Sequence, residues 1–332
     1  MTTSRAIQVN RTAAGTTAAA LTTVTLAEPA PGEVLVEVRY SAINYKDALA
    51  VTGQGKILRR LPLIPGVDLV GRVVASQDYR FREDDEVLVT GCGLGEERDG
   101  GFAEYARVPA ASLIRLPATL TPREAITMGT AAFTAGLAIQ RLEDNRQSPT
   151  QGPLVVTGAS GGVGGFAIDL LTVMGYEVAA VTGKPALSSY LQSLGASRII
   201  DRHTLEFGQR PLEHAQWGGA VDNLGGDYLT WLTRTVKPWG NIVAIGLAAT
   251  PTLNMTVMPF ILRGVSLLGV TAADCPAAWR QRIWQRLGQE LKPRRLAQIH
   301  TTEITLAEVP QACQLIHSGQ SHGRYLVRLR GD

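Results

Sequence analysis

Cysteine is scarce: three residues in 332, at positions 92, 275 and 313, odd in number and far apart. That spacing excludes a disulfide framework and fits a chain working in a reducing compartment. Long apolar runs are missing too. The most apolar window lies near residue 160, and its glycines and strand-turn-helix pattern argue against a membrane span. The N-terminus is polar, with no sustained apolar core before Pro29, so no signal peptide is expected and the cytoplasm is the expected location. Net charge is only +3, with short basic pairs at Arg59-Arg60 and Arg294-Arg295, which falls short of a nucleic-acid surface. There is no internal repeat and no low-complexity segment.

What the chain does have is length and alternation. At 332 residues it exceeds one ordinary core, and two domains are the natural expectation. Residues 1–121 carry short strands at 33–40, 69–74, 86–89 and 103–108, separated by turns rich in Gly, Pro and Asp. Such spacing predicts a β-rich, barrel-like domain. From Thr121 the texture changes: Thr121 reads as an N-cap, Pro122 as a first-turn residue and Glu124 as the end of a capping box. Strands then alternate with helices at 154–157, 177–182, 198–200, 219–222 and 241–246, the pattern of a doubly wound parallel sheet. A further strand at 265–271 lies at the end of that sheet and offers an edge for pairing across a homodimer. After residue 272 an amphipathic helix is expected, with Trp279, Ile283 and Leu287 on one face. Residues 296–299 and a last strand at 324–329 are expected to return to the first domain. The expectation is an α/β chain with a nucleotide-binding domain (122–271) inserted in a discontinuous β-rich domain (1–121 and 272–332).

The run 154–165, Leu-Val-Val-Thr-Gly-Ala-Ser-Gly-Gly-Val-Gly-Gly, organises the second part. A β-branched burst, a glycine turn and a helical pattern form the dinucleotide-binding fingerprint, with Ala159, Gly161 and Gly164 at the three small positions. Backbone amides over Ser160, Gly161, Gly162 and Val163 are expected to bind a pyrophosphate at the helix N-terminus. The next strand ends in Thr182-Gly183-Lys184, where an NAD enzyme places an acid on the ribose. A hydroxyl and a cation suit a 2′-phosphate, so NADPH is the expected cofactor.

The strings at 44–49 (Asn-Tyr-Lys-Asp-Ala-Leu), 64–68 (Ile-Pro-Gly-Val-Asp), 129–135 (Gly-Thr-Ala-Ala-Phe-Thr-Ala), 157–164, 194–198 and 257–263 carry a resemblance over the full length. The chain resembles the medium-chain dehydrogenase/reductase superfamily, in its zinc-free, quinone-oxidoreductase-like group, and within it the acryloyl-CoA reductase branch of the AcuI/YhdH type. The resemblance implies a GroES-like catalytic domain beside a Rossmann domain. Zinc alcohol dehydrogenases of the superfamily have a metal-binding His-Glu pair where this chain has Val67-Asp68, and their four-cysteine lobe is absent. Cys92 has no companion at ligand spacing, so no metal is expected.

The chemistry implied is conjugate reduction of a small activated alkene: hydride to the β-carbon, stabilisation of an enolate oxygen, protonation at the α-carbon. By resemblance, Asn44 and Asp68 are the polar pair facing the nicotinamide, and Tyr45 packs on the cofactor and offers its hydroxyl. The structural alternative has Asn44 capping the helix that follows and Asp68 closing the Pro65-Gly66 turn. Lys46 reads as a solvated charge and Asp47 as a structural partner. Arg198 is a second cation candidate near the adenosine end; Asn223, Leu247 and Val270 lie just after sheet strands, where ligands meet loops. Arg324 resembles the late basic position of the superfamily. Arg59, Arg60 and Arg263 are candidates for coenzyme A phosphates. An NADPH:quinone oxidoreductase and a non-catalytic NADPH-binding protein are the two alternatives to an enoyl-CoA reductase.

Overall fold

The computed structural model describes residues 2–330. In chain order the first segment holds β1 (Thr2–Arg11), β2 (Thr17–Leu26), β3 (Glu33–Ile43), α1 (Tyr45–Thr52), β4 (Asp68–Ser76), β5 (Glu86–Thr90), β6 (Tyr105–Pro109) and β7 (Ile114–Arg115). Helix α2 (Pro122–Asp144) leads into β8 (Leu154–Val156), α3 (Gly162–Val173), β9 (Val178–Thr182), α4 (Ser188–Ser193), β10 (Arg198–Asp201), β11 (Trp217–Asp222), α5 (Gly226–Thr235), β12 (Val236–Ala244), α6 (Met258–Arg263) and β13 (Ser266–Gly269). The chain ends with α7 (Ala277–Leu287), β14 (Thr301–Ile304), α8 (Val309–His317) and β15 (Arg324–Arg328).

Two compact units result: Met1–Phe133 with Ala272–Gly288 and His300–Asp332, and Thr134–Thr271 with Gln289–Ile299. In the first, a seven-stranded sheet runs β14-β15-β3-β4-β5-β7, with β6 also paired to β3, and a long hairpin of β1 and β2 stands beside it. Val34, Val36, Val38, Leu69, Val87 and Val89 fill one core from alternate positions of three strands. The hairpin and β14 are absent from the sequence-based expectation. In β2 (TAAALTTVTL) most residues are exposed, so small and hydroxyl side chains replace the apolar alternation that marks a strand.

In the second unit six parallel strands take the order β10-β9-β8-β11-β12-β13. Counted from β8 this is 3-2-1-4-5-6, the doubly wound dinucleotide-binding order, whose direction reverses between β8 and β11. Val155, Ala179, Val181, Ala220 and Ile242 are buried together, as expected of strands covered on both faces.

The unit boundaries differ from the expected 121/122 and 271/272 divisions in two places. The capping box forms as anticipated, with Thr121 N donating to Glu124 Oε2 (2.8 Å) and Glu124 N to Thr121 Oγ1 (3.2 Å). However, α2 breaks at Gly129 (φ 44°, ψ −151°), and its first turns stay with the first unit through Thr127, Thr130 and Phe133. Residues 289–299 join the second unit, because Arg295 gives both its backbone N–H (2.9 Å) and its guanidinium (3.1 Å) to the buried carboxylate of Asp169 on α3. On helix α7, Ile283 and Leu287 are fully buried as expected, but Trp279 is 39% exposed and Trp284, 1% exposed and stacked on Phe133 at 6.3 Å, completes the face in its place.

Candidate functional site

Three chain segments of the first unit converge on Asp68, the first residue of β4. Its Oδ2 accepts from Asn44 Nδ2 (2.8 Å) and from Thr130 N (2.9 Å), and its Oδ1 accepts from Thr130 Oγ1. Arg324, opening β15, places Nη2 3.7 Å from the same carboxylate. The Arg324 Nε donates to Thr127 O (3.0 Å) and Nη1 to Asn44 Oδ1 (3.0 Å). Asp68 is fully buried and Arg324 3% exposed. Burial pushes the Asp68 carboxyl above its usual range, against the opposing pull of the guanidinium and three hydrogen bonds. Burial likewise draws Arg324 down, with Asp68 the chief opposing influence, and an arginine so placed still holds its proton.

The break in α2 is what makes room for this cluster. A Cβ on Gly129 would meet Asp68 Oδ2 at 2.5 Å and Arg324 Nη2 at 3.0 Å. With φ at 44° and ψ at −151°, the position also needs glycine for backbone reasons. The bend frees the N–H of Thr130 from the helix and turns it onto Asp68.

Asp47, on the first turn of α1, lies directly behind. Its Oδ2 accepts from Asn44 N (2.8 Å) and its Oδ1 from Val67 N (2.9 Å), which ties α1 to the loop before β4. Burial pushes this carboxyl up to about 7, and the nearby Asp68 adds to the rise. Asp47 is therefore the structural partner the sequence implied. Lys46 pairs with Glu96 at 2.8 Å instead of standing free.

Asn44 thus spends its carboxamide inward, Nδ2 on Asp68 and Oδ1 toward Arg324, and stays half-buried. Asp68 has no part in closing the Pro65-Gly66 turn; that turn is held by Gly101 N on Gly66 O (2.8 Å) and Phe102 N on Pro65 O (3.0 Å). Tyr45 differs from its neighbours. Its ring is 42% exposed at the start of α1. Of this group it is the member whose side chain meets solvent most fully.

In the second unit the fingerprint turn has the shape its residues predict. Gly158 has φ 59°, Ala159 N donates to Val181 O (3.1 Å) and Gly161 N to Gly158 O (3.0 Å). A Cβ on Gly164 would strike Gly158 O and Ala159 Cα, so the third small residue lets α3 press against the turn. No side chain caps α3 at Gly161. The first-turn amides, of Gly162 and Val163, are therefore left without a side-chain acceptor, the arrangement that receives a phosphate. Ser160 is 9% exposed, within 3.5 Å of the Thr182 hydroxyl.

Beyond β9 the Thr182 hydroxyl faces inward and accepts from Lys184 N (3.1 Å), so it shapes the turn at Gly183. Lys184 is half-buried, and burial, followed by the Arg202 charge, lowers its ammonium below the ordinary lysine range. Arg202 is the residue sequence reasoning missed. Its N–H donates to Thr182 O (2.9 Å) and its guanidinium packs against Gly183, where a Cβ would strike it. Its sequence signal was its place, one residue past the end of β10. Arg198 turns its guanidinium over the Trp217 ring, 5.3 Å from the centroid, and not toward Lys184. Asn223 donates Nδ2 to Thr157 O (2.7 Å) at the point where strand order reverses. Leu247 is 63% exposed after β12, and Val270 N returns to Ala244 O (3.2 Å) after β13. Among the coenzyme A candidates, Arg263 is spent on the carbonyls of Arg234, Val236 and Glu213. Arg60 lies on Asp99 at 3.3 Å.

Two family models match the chain: "Alcohol dehydrogenase GroES-like domain" over residues 30–118 and "Zinc-binding dehydrogenase" over residues 162–289. The acrylyl-CoA reductase AcuI of Ruegeria pomeroyi is 42% identical over 94% of this chain and 95% of its own. The YhdH oxidoreductase of Salmonella enterica, solved in complex with NADP, superposes with a TM-score of 0.94 at 45% identity, covering 98% of this chain and all of its own. Protein YhfP of Bacillus subtilis, solved with NAD bound, gives a TM-score of 0.94 at 42% identity over 99% of this chain and all of its own. The second model's description implies zinc, and the residues here do not fit it. A zinc site needs three or four N, O or S ligands. Among the described residues no three His, Cys, Asp or Glu side chains gather, Asp68 is taken by Thr130, Asn44 and Arg324, and Cys92 faces Arg280.

Proposed function

This chain belongs to the AcuI/YhdH group of the medium-chain dehydrogenase/reductase superfamily, and from that membership we propose that it is an NADPH-dependent enoyl-CoA reductase. Its reaction reduces the C=C bond of a short 2-enoyl-CoA, acryloyl-CoA to propanoyl-CoA. The observation that carries this reading is 42% and 45% identity to AcuI proteins across 94% and 95% of the chain.

Bound NADPH supplies a hydride. The chain's own residues then have separable tasks. In the second unit, the uncapped first turn of α3 receives the pyrophosphate, and Ser160 to Val163 line it. Lys184, with Arg202 beside it, supplies the positive charge for a 2′-phosphate at the end of β9, where the run Thr182-Gly183-Lys184 carries no acid. Thr182 holds the turn that places them. In the first unit, Asp68 and Arg324 act as positioning residues, fixing the Asn44 carboxamide from both ends. Tyr45, 42% exposed, carries a hydroxyl suited to hydrogen-bond the thioester oxygen as negative charge develops there, with solvent supplying the α-proton. Asn223, Leu247 and Val270, each just after a sheet strand, keep supporting roles along the cofactor, whereas Arg198 opens β10 opposite Ala179 and stacks on Trp217, away from the turn at Lys184.

The first unit, which carries Asn44, Asp68, Thr130 and Arg324, takes the substrate, and the second, which carries the fingerprint turn and Lys184, takes the cofactor. We place the enzyme in the cytoplasm as a homodimer. Three free cysteines suit a reducing compartment, and no helix among the described residues is long and apolar enough to cross a membrane. Strand β13 is an outer strand of its sheet, and Ile261 (74% exposed) and Leu262 (61%) stand just before it.

The deciding experiment compares NADPH consumption with acryloyl-CoA, crotonyl-CoA and a simple quinone, each repeated with NADH. Fast turnover with acryloyl-CoA and NADPH supports the reading. Preference for the quinone moves the chain to the quinone oxidoreductases, and no turnover of any of them leaves a cofactor-binding protein.

A further inference from the structure

Where β8 and β11 run side by side the strand order of the second unit reverses, and the turns that leave these two strands are joined by a buried acid. Asp222, the last residue of β11, is fully buried, as is Thr157, the first residue after β8. The Asp222 Oδ1 accepts from Thr157 Oγ1 (2.6 Å), and its Oδ2 accepts from Gly225 N (2.8 Å). Among the described residues no cation acts on it. Burial raises its carboxyl above the ordinary range, and the hydrogen bonds from Thr157, Gly225 and Leu224 hold it back. A carboxylate only accepts, so the Thr157 hydroxyl spends its proton on Asp222 and turns a lone pair elsewhere. That lone pair takes the N–H of Asn223 (2.9 Å).

Asn223 is thereby held at every polar group but one. Its N–H lies on Thr157 Oγ1, its carbonyl accepts from Ala248 N (3.3 Å), and its Nδ2 donates to Thr157 O (2.7 Å). A backbone carbonyl only accepts, so the end of the carboxamide that meets it is the nitrogen, and Oδ1 is the end turned away. That oxygen has no hydrogen-bond partner among the described residues, and the half-buried side chain leaves it open to solvent. The main chain is confined as well. A Cβ on Gly158 would meet Asn223 Cβ at 3.1 Å, and one on Gly246 would meet Asn223 O at 2.4 Å.

An acceptor fixed before anything binds costs little to order on binding. The sheet order β9-β8-β11 says which part of a dinucleotide it meets. The adenosine end belongs to Thr182 and Lys184 after β9, and the pyrophosphate to the turn after β8, so the other half lies beyond β8, over the end of β11. We infer that Asn223 Oδ1 accepts a hydrogen bond from a hydroxyl or amide N–H of the nicotinamide half of the cofactor, and that Thr157 and Asp222 are positioning residues that fix it. The inference rests on the NADPH reading above and gives these three residues no part in hydride transfer.

The test is titration of the full-length protein, without substrate, by NADPH, NADH and adenosine 2′,5′-bisphosphate, which carries the adenosine half alone. Asn223→Ala is expected to weaken both dinucleotides by one common factor, about three- to tenfold, the worth of one hydrogen bond, and the bisphosphate by less than about twofold. Thr157→Val removes the hydroxyl and is expected to give the same split. Thr157→Ser restores the hydroxyl and is expected to recover most of the binding. A merely structural role would lower unfolding stability in Thr157→Val without separating the dinucleotides from the bisphosphate. Unchanged dinucleotide binding in Asn223→Ala overturns the inference, and so does an equal loss for all three probes. Asn223→Ala leaves the bond between Thr157 and Asp222 in place, so it decides the outcome even where Thr157→Val does not fold. A wild-type protein that binds neither dinucleotide defeats the cofactor reading itself, and the inference with it.

Discussion

Arg324 and Asp68 form a buried ion pair at 3.7 Å, and among the described residues neither has another opposite charge so near. The pair is longer than a hydrogen bond, and Arg324 Nη2 has no closer partner. Asp68 takes its hydrogen bonds from Asn44 and Thr130 instead, and Arg324 gives its own to Asn44 and to the Thr127 carbonyl. Asn44 therefore lies between acid and base, its amide oriented by both.

Removing one charge of such a pair leaves the other buried alone. Arg324→Met is expected to destabilise the protein by about 3–5 kcal/mol, read from urea unfolding. Combining it with Asp68→Leu is expected to recover part of that loss, because no charge is then stranded. Additive losses in the double variant would show the two residues acting independently.

The glycine at the bend is tested by Gly129→Ala. The added methyl meets Asp68 Oδ2 at 2.5 Å in a backbone conformation that alanine avoids. A loss of roughly 2–4 kcal/mol in stability is expected from the combination of strain and contact. Turnover is expected to fall further than cofactor binding, since the contact displaces the carboxylate that fixes Asn44. Full stability in this variant would mean that α2 can straighten.

Much of this was legible in the sequence. The capping box at Thr121 and the fingerprint at 157–164 are local: hydrogen bonds and close contacts between near neighbours dictate them, so residue identity alone suffices. Asn44 and Asp68 could be named as a pair, but their roles could not. Whether Asp68 faces a substrate or is buried behind Asn44 depends on Arg324, 256 positions onward in the sequence. Arg202 was missed for a similar reason: its proximity to Lys184 comes from the parallel pairing of β10 with β9, in which Asp201 lies opposite Thr182. The hairpin of β1 and β2 was missed because its exposed strand carries no apolar alternation.

Asp47 gives a pH dependence with a definite sign. Its carboxyl is raised from 3.8 to about 7 by burial, so the folded state holds the proton more tightly than the unfolded state does. The contribution of this group to stability is complete below pH 3.8 and is lost as pH rises toward about 7, beyond which it changes no further. Comparing wild type with Asp47→Asn at several pH values isolates it from the other acids. The stability of the wild type relative to the variant is expected to fall steadily between about pH 4 and 7. A difference independent of pH would place the Asp47 carboxyl in its ordinary range.

The cofactor reading turns on two cations. If Lys184 and Arg202 meet a 2′-phosphate, each acts on NADPH and leaves NADH, which lacks that group, nearly untouched. Lys184→Ala and Arg202→Ala are each expected to weaken NADPH binding by about tenfold, near 1.4 kcal/mol, in a fluorescence titration. NADH binding is expected to change by less than about twofold. Burial lowers the Lys184 ammonium and the nearby Arg202 charge adds to the lowering, so removing either cation relieves the other, and the double variant is expected to lose less than the product of the single effects. Equal losses for the two dinucleotides would assign both residues to the turn after β9 and leave the phosphate preference to be built elsewhere in the second unit.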